Sequence, residues 1–234
     1  MFGRLNHLEP ATMNNKKGIV LLSGGLDSST SLYYALDKGY EIKALIFDYG
    51  QRDKREIDLA KSIAQAAGVE YEIINLDFSW GGSALLDKDI ELPQGDLERE
   101  DIPLSYVPSR NIVFLSIALS YAEAKLFDEI FIGANAVDYS GYPDCRPDFM
   151  EAFQRVADCG TKSGIEGRPI KISAPLLKLK KSEIIKLGNS LGVPFDLTSS
   201  CYEGDSEPCM KCDSCLIRER GFKEAGLEDP IIKR

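Results

Sequence analysis

The sequence predicts an α/β protein. It is expected to hold an open, mainly parallel five-stranded sheet with helices on both faces, followed by a small C-terminal four-cysteine hook that binds zinc. Three observations predict this. Short apolar, β-prone runs alternate with helical stretches, and strands separated by helices form parallel units with right-handed crossovers. The first apolar run feeds a Ser23-Gly24-Gly25 turn and then a helix start. The last part of the chain gathers Cys201, Cys209, Cys212 and Cys215. At 234 residues the chain can bury one sizeable core. Residues 1–17 read as a flexible leader, 18–197 as the α/β domain, and 198–234 as a zinc-binding segment packed on the same domain.

The elements follow in order. Residues 19–23 form the first strand, from the run Ile19-Val20-Leu21-Leu22. Asp27, Ser28, Ser29 and Thr30 supply capping chemistry for a helix over 27–38, which Gly39 closes. Residues 41–47 form the second strand and end in Asp48-Tyr49-Gly50-Gln51-Arg52. A helix over 52–67 stops at Gly68, and residues 70–76 form the third strand. Residues 77–107 are rich in Gly, Asp, Glu and Pro, the character of a lid, a binding loop or a mobile segment. Trp80 and Tyr106 flank this insertion; packing is their plainer role, and closure over a flat base is the alternative. A strongly apolar helix over 111–127 is announced by Pro108-Ser109. The fourth strand spans 129–133, a turn-rich segment 134–147, a helix 148–158 and the fifth strand 170–173. A helix over 181–191 stops at Gly192 and Pro194, and the cysteine hook fills 198–221. Ligands of such sheets bind beyond the carboxyl ends of the strands, so the loops after strands one, two, four and five converge on one crevice.

Composition excludes several classes. The apolar share of 44% and the charged share of 28% are those of an ordinary globular protein. No run is long and apolar enough to span a bilayer, and no N-terminal segment has the apolar centre of a signal peptide, so the expected location is the cytoplasm with no membrane partner. A net charge of −9 argues against a nucleic-acid partner. The only histidine is His7, in the leader, so the body of the chain can build no Ser-His-Asp or Cys-His arrangement.

A strand, a glycine turn and a helix N-terminus present unpaired N–H groups to an anion. The turn is not of the Walker type, because no lysine follows its glycines, and it lacks the G-x-G-x-x-G spacing of a dinucleotide site. The pattern S-G-G-x-D-S at residues 23–28 resembles the pyrophosphate loop of the ATP pyrophosphatases. Members of that superfamily cleave ATP between the α and β phosphates and leave AMP on the substrate. In the hook, four thiolates close a tetrahedral zinc shell at about 2.3 Å with no open position, which predicts a structural role. An iron–sulfur cluster is the alternative, and Lys211, Arg218 and Arg220 are placed to offset the charge of the thiolates. Cys159 reads as a small core residue.

Several stretches together resemble one family within that superfamily, the 7-cyano-7-deazaguanine synthases of the queuosine pathway. They are SGGLDSST, DYGQR, VPSRN, GANAVDYSGYPDCRPDF, the stretch from Pro175 to Glu183, and TSSCY…PCMKCDSCLIR. One departure is visible: the family usually has histidine after Gln-Arg, and here the residue is Asp53. The resemblance implies an adenine nucleotide α-hydrolase-like fold. It also implies an ATP-dependent carbon–nitrogen ligase that converts 7-carboxy-7-deazaguanine and ammonia to the nitrile, through an acyl-adenylate and an amide. A deazaguanine ligase with a protein amine as acceptor, or a tRNA-modifying thiolase, are the alternatives. The implied ATP site is Leu22, Ser23, Gly24, Gly25, Leu26, Asp27, Ser28, Ser29, Thr30, Ser31 and Leu32, with Mg²⁺ bridging phosphate oxygens. Asp27, Lys181 and Arg110 are the expected catalytic residues: Asp27 orients the loop or a metal-bound water, or is a plain helix cap. Lys181 stabilises departing pyrophosphate, or is a solvated first-turn lysine. Arg110, with Asn111, binds phosphate or base. Asp138, Tyr139, Tyr142, Asp144 and Arg146 form the expected substrate loop, with a carboxylate accepting from the guanine-like edge and Arg146 pairing with the substrate carboxylate. Cys145 has no need to act as nucleophile, because adenylation already activates the carboxylate. A homodimer is also implied.

Overall fold

A computed structural model describes residues 16–92, 101–135, 141–203 and 207–232. Five parallel strands form one sheet in the order β3-β2-β1-β4-β5. The strands are β1 (Lys17–Leu21), β2 (Glu41–Asp48), β3 (Glu70–Asn75), β4 (Glu129–Phe131) and β5 (Lys171–Ser173). The helices are α1 (Leu26–Asp37), α2 (Arg55–Ala66), α3 (Arg110–Lys125), α4 (Pro147–Gly160), α5 (Lys162–Ile165), α6 (Lys181–Ser190) and α7 (Asp213–Ala225). Among the described residues, no helix is long and apolar enough to cross a membrane.

Strand residues alternate between two cores, as a pleated sheet covered on both faces requires. Ile19, Leu21, Leu45, Phe47 and Ile130 face Phe114 and Leu115 of α3 and Met150 and Phe153 of α4. Val20, Ala44, Ile46 and Phe131 face Leu32 and Ala35 of α1 and Ile57, Ala60 and Ile63 of α2. A third cluster joins Leu26 of α1, Ile184 and Ile185 of α6, and Phe222 of α7. The chain order reverses beside β1, with β2 on one side and β4 on the other, so the crevice opens above β1.

Several boundaries move for identifiable reasons. Lys17 pairs with Glu41 in the sheet, so the expected leader loses Lys17; residues 1–15 lie outside the described residues. Helix α2 begins at Arg55 rather than at residue 52, because the Asp53 carboxylate accepts the Arg55 N–H at 2.9 Å. The hook is not wholly irregular: α7 starts directly after Cys212 and ends at Gly226, whose φ of +73° fits a glycine-capped helix end. Cys159, expected in the core, is exposed on α4. The described parts of the 77–107 insertion contain no helix or strand, and residues 93–100 lie outside the described residues.

Candidate active site

The first turn of α1 supplies the anion cradle. The first intrahelical bond runs from Ser29 N–H to the Gly25 carbonyl at 3.1 Å. The N–H groups of Leu26, Asp27 and Ser28 therefore have no partner within the helix, and all three residues line a cavity of about 290 Å³. The Ser23 and Ser28 hydroxyls meet at 3.0 Å, and Ser28 and Ser29 each donate to the Gly25 carbonyl, which fixes the turn. Two glycines let the backbone pack this closely. Gly24 has φ of +78°, and a Cβ there would stand 2.7 Å from the Glu56 carbonyl. A Cβ on Gly133, just beyond β4, would stand 2.7 Å from the Ser28 nitrogen.

Not all of the expected ATP stretch reaches the cavity. Leu22, Ser23, Gly25, Leu26, Asp27 and Ser28 line it. Thr30, Ser31 and Leu32 are fully buried instead, with Thr30 donating to the Leu26 carbonyl and Leu32 packed in the α1–α2 core. Ser29 is likewise buried and bonded to Gly25. Ser31 turns towards the sheet, with its hydroxyl near the Ile132 carbonyl, whereas Thr30 packs on Gly188 of α6.

The expected catalytic residues converge. Lys181, the first residue of α6, places its Nζ 2.7 and 2.6 Å from the two carboxylate oxygens of Asp27. Glu183 accepts the Lys180 N–H at 2.8 Å and closes the helix start that carries Lys181. Arg110, at the start of α3, donates to the Tyr49 hydroxyl at 3.1 Å, and both residues line the cavity. Loops after β1, β2 and β4, together with the start of α6 beyond β5, thus meet at one crevice.

The substrate loop divides. Tyr142 lines the cavity, with its hydroxyl 2.9 Å from that of Ser105. Asp144 does not reach the cavity: its carboxylate accepts the Asn111 N–H at 3.0 Å. Ser109, which precedes α3, is in the left-handed region and makes no side-chain cap, so Asp144 satisfies this helix start from outside. Burial pushes the Asp144 carboxyl above its ordinary value. Arg146 is exposed and lies outside the cavity wall, so it is not placed to pair with a ligand there. Asp138 and Tyr139 lie outside the described residues. Asn111 lines the cavity with its amide bonded to the Asp144 carbonyl and the Cys145 sulfur. Burial first, and Asp144 second, push the Cys145 thiol up to about 12, which keeps it protonated and a poor nucleophile. Trp80 is 68% exposed and packs beside Phe78, while the Tyr106 hydroxyl accepts the Ser109 N–H.

The four cysteine sulfurs of the hook lie within 4.8 Å of one another. A tetrahedral ion with ligands at about 2.3 Å needs sulfurs about 3.8 Å apart, and Cys209 and Cys215 stand at 4.0 Å. The Cys209 and Cys212 N–H groups point at the sulfurs of Cys201 and Cys209, each at 3.4 Å. The set fits one metal ion. Of the cations expected to offset the thiolates, Arg218 is buried against Asp229 at 2.7 Å, Lys211 faces Glu203 and Arg220 faces Glu224. The hook also touches the cradle. The Ser199 N–H donates to the Gly24 carbonyl at 3.1 Å, and Ser199, Ser200, Tyr202, Ser214 and Ile217 line the cavity.

The model of the family described as "Queuosine biosynthesis protein QueC" matches residues 17–226. The chain belongs to this family. The match extends from the first residue of β1 through α7, so the cradle, Lys181 and the cysteines all fall within the family's extent. A 7-cyano-7-deazaguanine synthase of Nostoc sp. is 56% identical over 220 residues, covering 92% of this chain and 96% of that protein. The synthase of Thermoplasma acidophilum is 51% identical over 221 residues, covering 94% and 92%. Among solved structures, NMN synthetase from Francisella tularensis superposes with a TM-score of 0.51 at 16% identity, over 92% of this chain and 79% of that one. A 4-thiouridine synthetase in complex with RNA and ATP gives 0.53 at 17% identity, over 90% of this chain and 50% of that one. These two show a shared fold.

The cavity wall contains residues that the sequence does not single out, among them the hook residues named above and one carboxylate. Glu56, in the first turn of α2, lines the cavity beside the cradle. An acidic residue in a first helical turn is commonplace, so the sequence carries no signal that singles it out.

Proposed function

We propose that this chain is an ATP-dependent carbon–nitrogen ligase that converts 7-carboxy-7-deazaguanine and ammonia into 7-cyano-7-deazaguanine, through an acyl-adenylate and then an amide. The observation that carries the reading is the convergence of the S-G-G-x-D-S cradle, Lys181 and Arg110 on one cavity, in a chain that belongs to the family of these synthases.

The chemistry asks little of a nucleophilic side chain. The substrate carboxylate attacks the α-phosphate and pyrophosphate leaves, so the protein must hold the phosphates and neutralise charge. The N–H groups of Leu26, Asp27 and Ser28 and the hydroxyls around them are arranged for the departing pyrophosphate. Lys181 supplies positive charge at the same place and is held there by Asp27 until the phosphates compete for it. Mg²⁺, when bound with ATP, would be held by phosphate oxygens and the Asp27 carboxylate, and would screen the same negative charge. Arg110 and Tyr142, which line the same cavity, offer donors for the substrate. A carboxylate at Asp138 remains the proposed acceptor for the guanine-like edge.

The hook is proposed to hold zinc in a structural role: four sulfurs with no histidine or carboxylate among them suit a closed thiolate shell. It is read as part of the same domain, because Phe222 of α7 packs with α6 and with Leu26 beside the cradle. The net charge of −9 supports small-molecule partners over nucleic acid, and a cytoplasmic homodimer is the assembly proposed.

The test is AMP release measured with and without 7-carboxy-7-deazaguanine, in the presence of ammonium, with products read by mass spectrometry. Carboxylate-dependent AMP and the nitrile are expected. AMP with the amide but no nitrile would end the reaction at the amide, and AMP with neither product would move the acceptor from ammonia to another amine. No carboxylate-dependent AMP would overturn the reading.

A further inference from the structure

Amide formation needs a group that takes a proton from the attacking nitrogen. The titratable side chains around the cavity are few, and most are engaged. Asp27 is paired with Lys181. Cys145 is a protonated thiol. Arg110 is a fixed cation that donates to Tyr49. No histidine occurs among the described residues, since His7 is the only one in the chain.

Glu56 remains. It lines the cavity, and among the described residues no hydrogen bond or ion pair engages its carboxylate. Its position is set by the backbone, because Gly24 of the cradle packs directly on the Glu56 carbonyl and the Ala60 nitrogen. The carboxylate-bearing turn of α2 is therefore fixed against the cradle. Its neighbour Asp53 is by contrast committed, accepting from the Arg55 N–H and guanidinium.

We propose that Glu56 is the catalytic proton acceptor of the amide-forming step; this rests on the ligase reading above. The ammonia lone pair forms the new C–N bond at the acyl carbon. The C–O bond to AMP breaks, and AMP leaves with its electron pair. The nitrogen gives one proton to the Glu56 carboxylate, which leaves a neutral primary amide.

The surroundings suit the role. Burial first, and then Asp53, raise the Glu56 carboxyl to about 7, while Arg110 and Arg55 pull it back. Tyr49 at the end of β2, Arg110 of α3, Asp53 and Arg55 beside it, and the Asp27–Lys181 pair on the cavity wall are the charged and titratable groups around it. A base whose affinity for protons lies near neutral pH is effective at neutral pH.

Two half-reactions separate this role from a structural one. Exchange of labelled pyrophosphate into ATP, dependent on 7-carboxy-7-deazaguanine and run without ammonia, reports adenylation. Single-turnover consumption of the adenylate by added ammonium, expressed per unprotonated ammonia, reports the amide step. In Glu56→Gln the amide step is expected to fall by about 100-fold or more, with exchange within about threefold of wild type and no dependence on pH through 7. Glu56→Asp, which keeps a carboxylate one methylene shorter, is expected to recover part of the amide step and its pH dependence. Parallel loss of exchange and amide formation in Glu56→Gln, or no loss in either, overturns the assignment. Absence of carboxylate-dependent exchange in the wild type overturns the ligase reading itself, and this assignment with it.

Discussion

Lys181 grips both carboxylate oxygens of Asp27 at 2.7 and 2.6 Å, across 154 positions of sequence. The pair joins the N-termini of two helices, α1 and α6, at the mouth of the anion cradle. Both helix ends carry partial positive charge, which favours Asp27 there and disfavours Lys181. A lysine held at such a position by a carboxylate is the proposed partner of the phosphates. Lys181→Met is expected to lower carboxylate-dependent pyrophosphate release by about 100-fold. Its melting temperature should stay close to wild type, because Asp27, left without the lysine, remains in the first turn of α1, where a carboxylate is favoured.

Gly133 tests the close approach of β4 to the cradle. An alanine there would bring Cβ to 2.7 Å from the Ser28 nitrogen and 2.8 Å from its Cα, which are backbone atoms that cannot swing aside. Gly133→Ala is expected to cost about 1–3 kcal/mol of stability. It should also raise the KM for ATP by about tenfold or more, measured by AMP release at varied ATP.

The buried pair of Arg218 and Asp229 ties the end of the chain to α7. Arg218 also donates to the Thr198 carbonyl and hydroxyl and to the Phe195 carbonyl. Arg218→Ala strands Asp229, which is 3% exposed, without its partner. Destabilisation of about 3–5 kcal/mol is expected in denaturant unfolding at constant metal.

Glu56 makes a prediction about stability opposite in sign to its proposed benefit for rate. Its folded-state carboxyl is raised to about 7 from an ordinary 4.5, with burial as the main cause. The folded protein then holds the proton more tightly than the unfolded chain, so this group costs stability as pH rises from about 4.5 to 7. Glu56→Gln removes that cost. The variant should be more stable than wild type at pH 8, on the order of 1–2 kcal/mol, with the advantage fading towards pH 5. Thermal melts at the two pH values check this.

Much of the architecture was legible because it rests on local patterns. Val20 and Leu22 face one core and Ile19 and Leu21 the other, and glycines 39 and 68 close α1 and α2 where expected. The four-cysteine spacing announced a cluster whose sulfurs are together. What stayed hidden depends on tertiary packing. The segment around Tyr142 reads as turn-rich and as a substrate loop, but which side chain turns inwards follows from α3 lacking a cap of its own, which draws Asp144 away. Arg146 then points outwards at the start of α4. Cys159 was placed inside on the strength of its residue type, whereas the α4 period puts it on the outer face. Glu56 gained its position from the glycine packed on it 32 residues earlier in the chain.

The bond from Ser199 N–H to the Gly24 carbonyl joins segments about 175 positions apart in the chain. The wall of the cavity runs from Leu21 to Ile217. A nascent chain on the ribosome presents the glycine turn early but lacks the strap that completes the pocket until residues 199–217 have been made. Incomplete chains therefore have no finished pocket in which to consume ATP, and nonsense truncations ahead of the cysteines should be inert rather than wasteful.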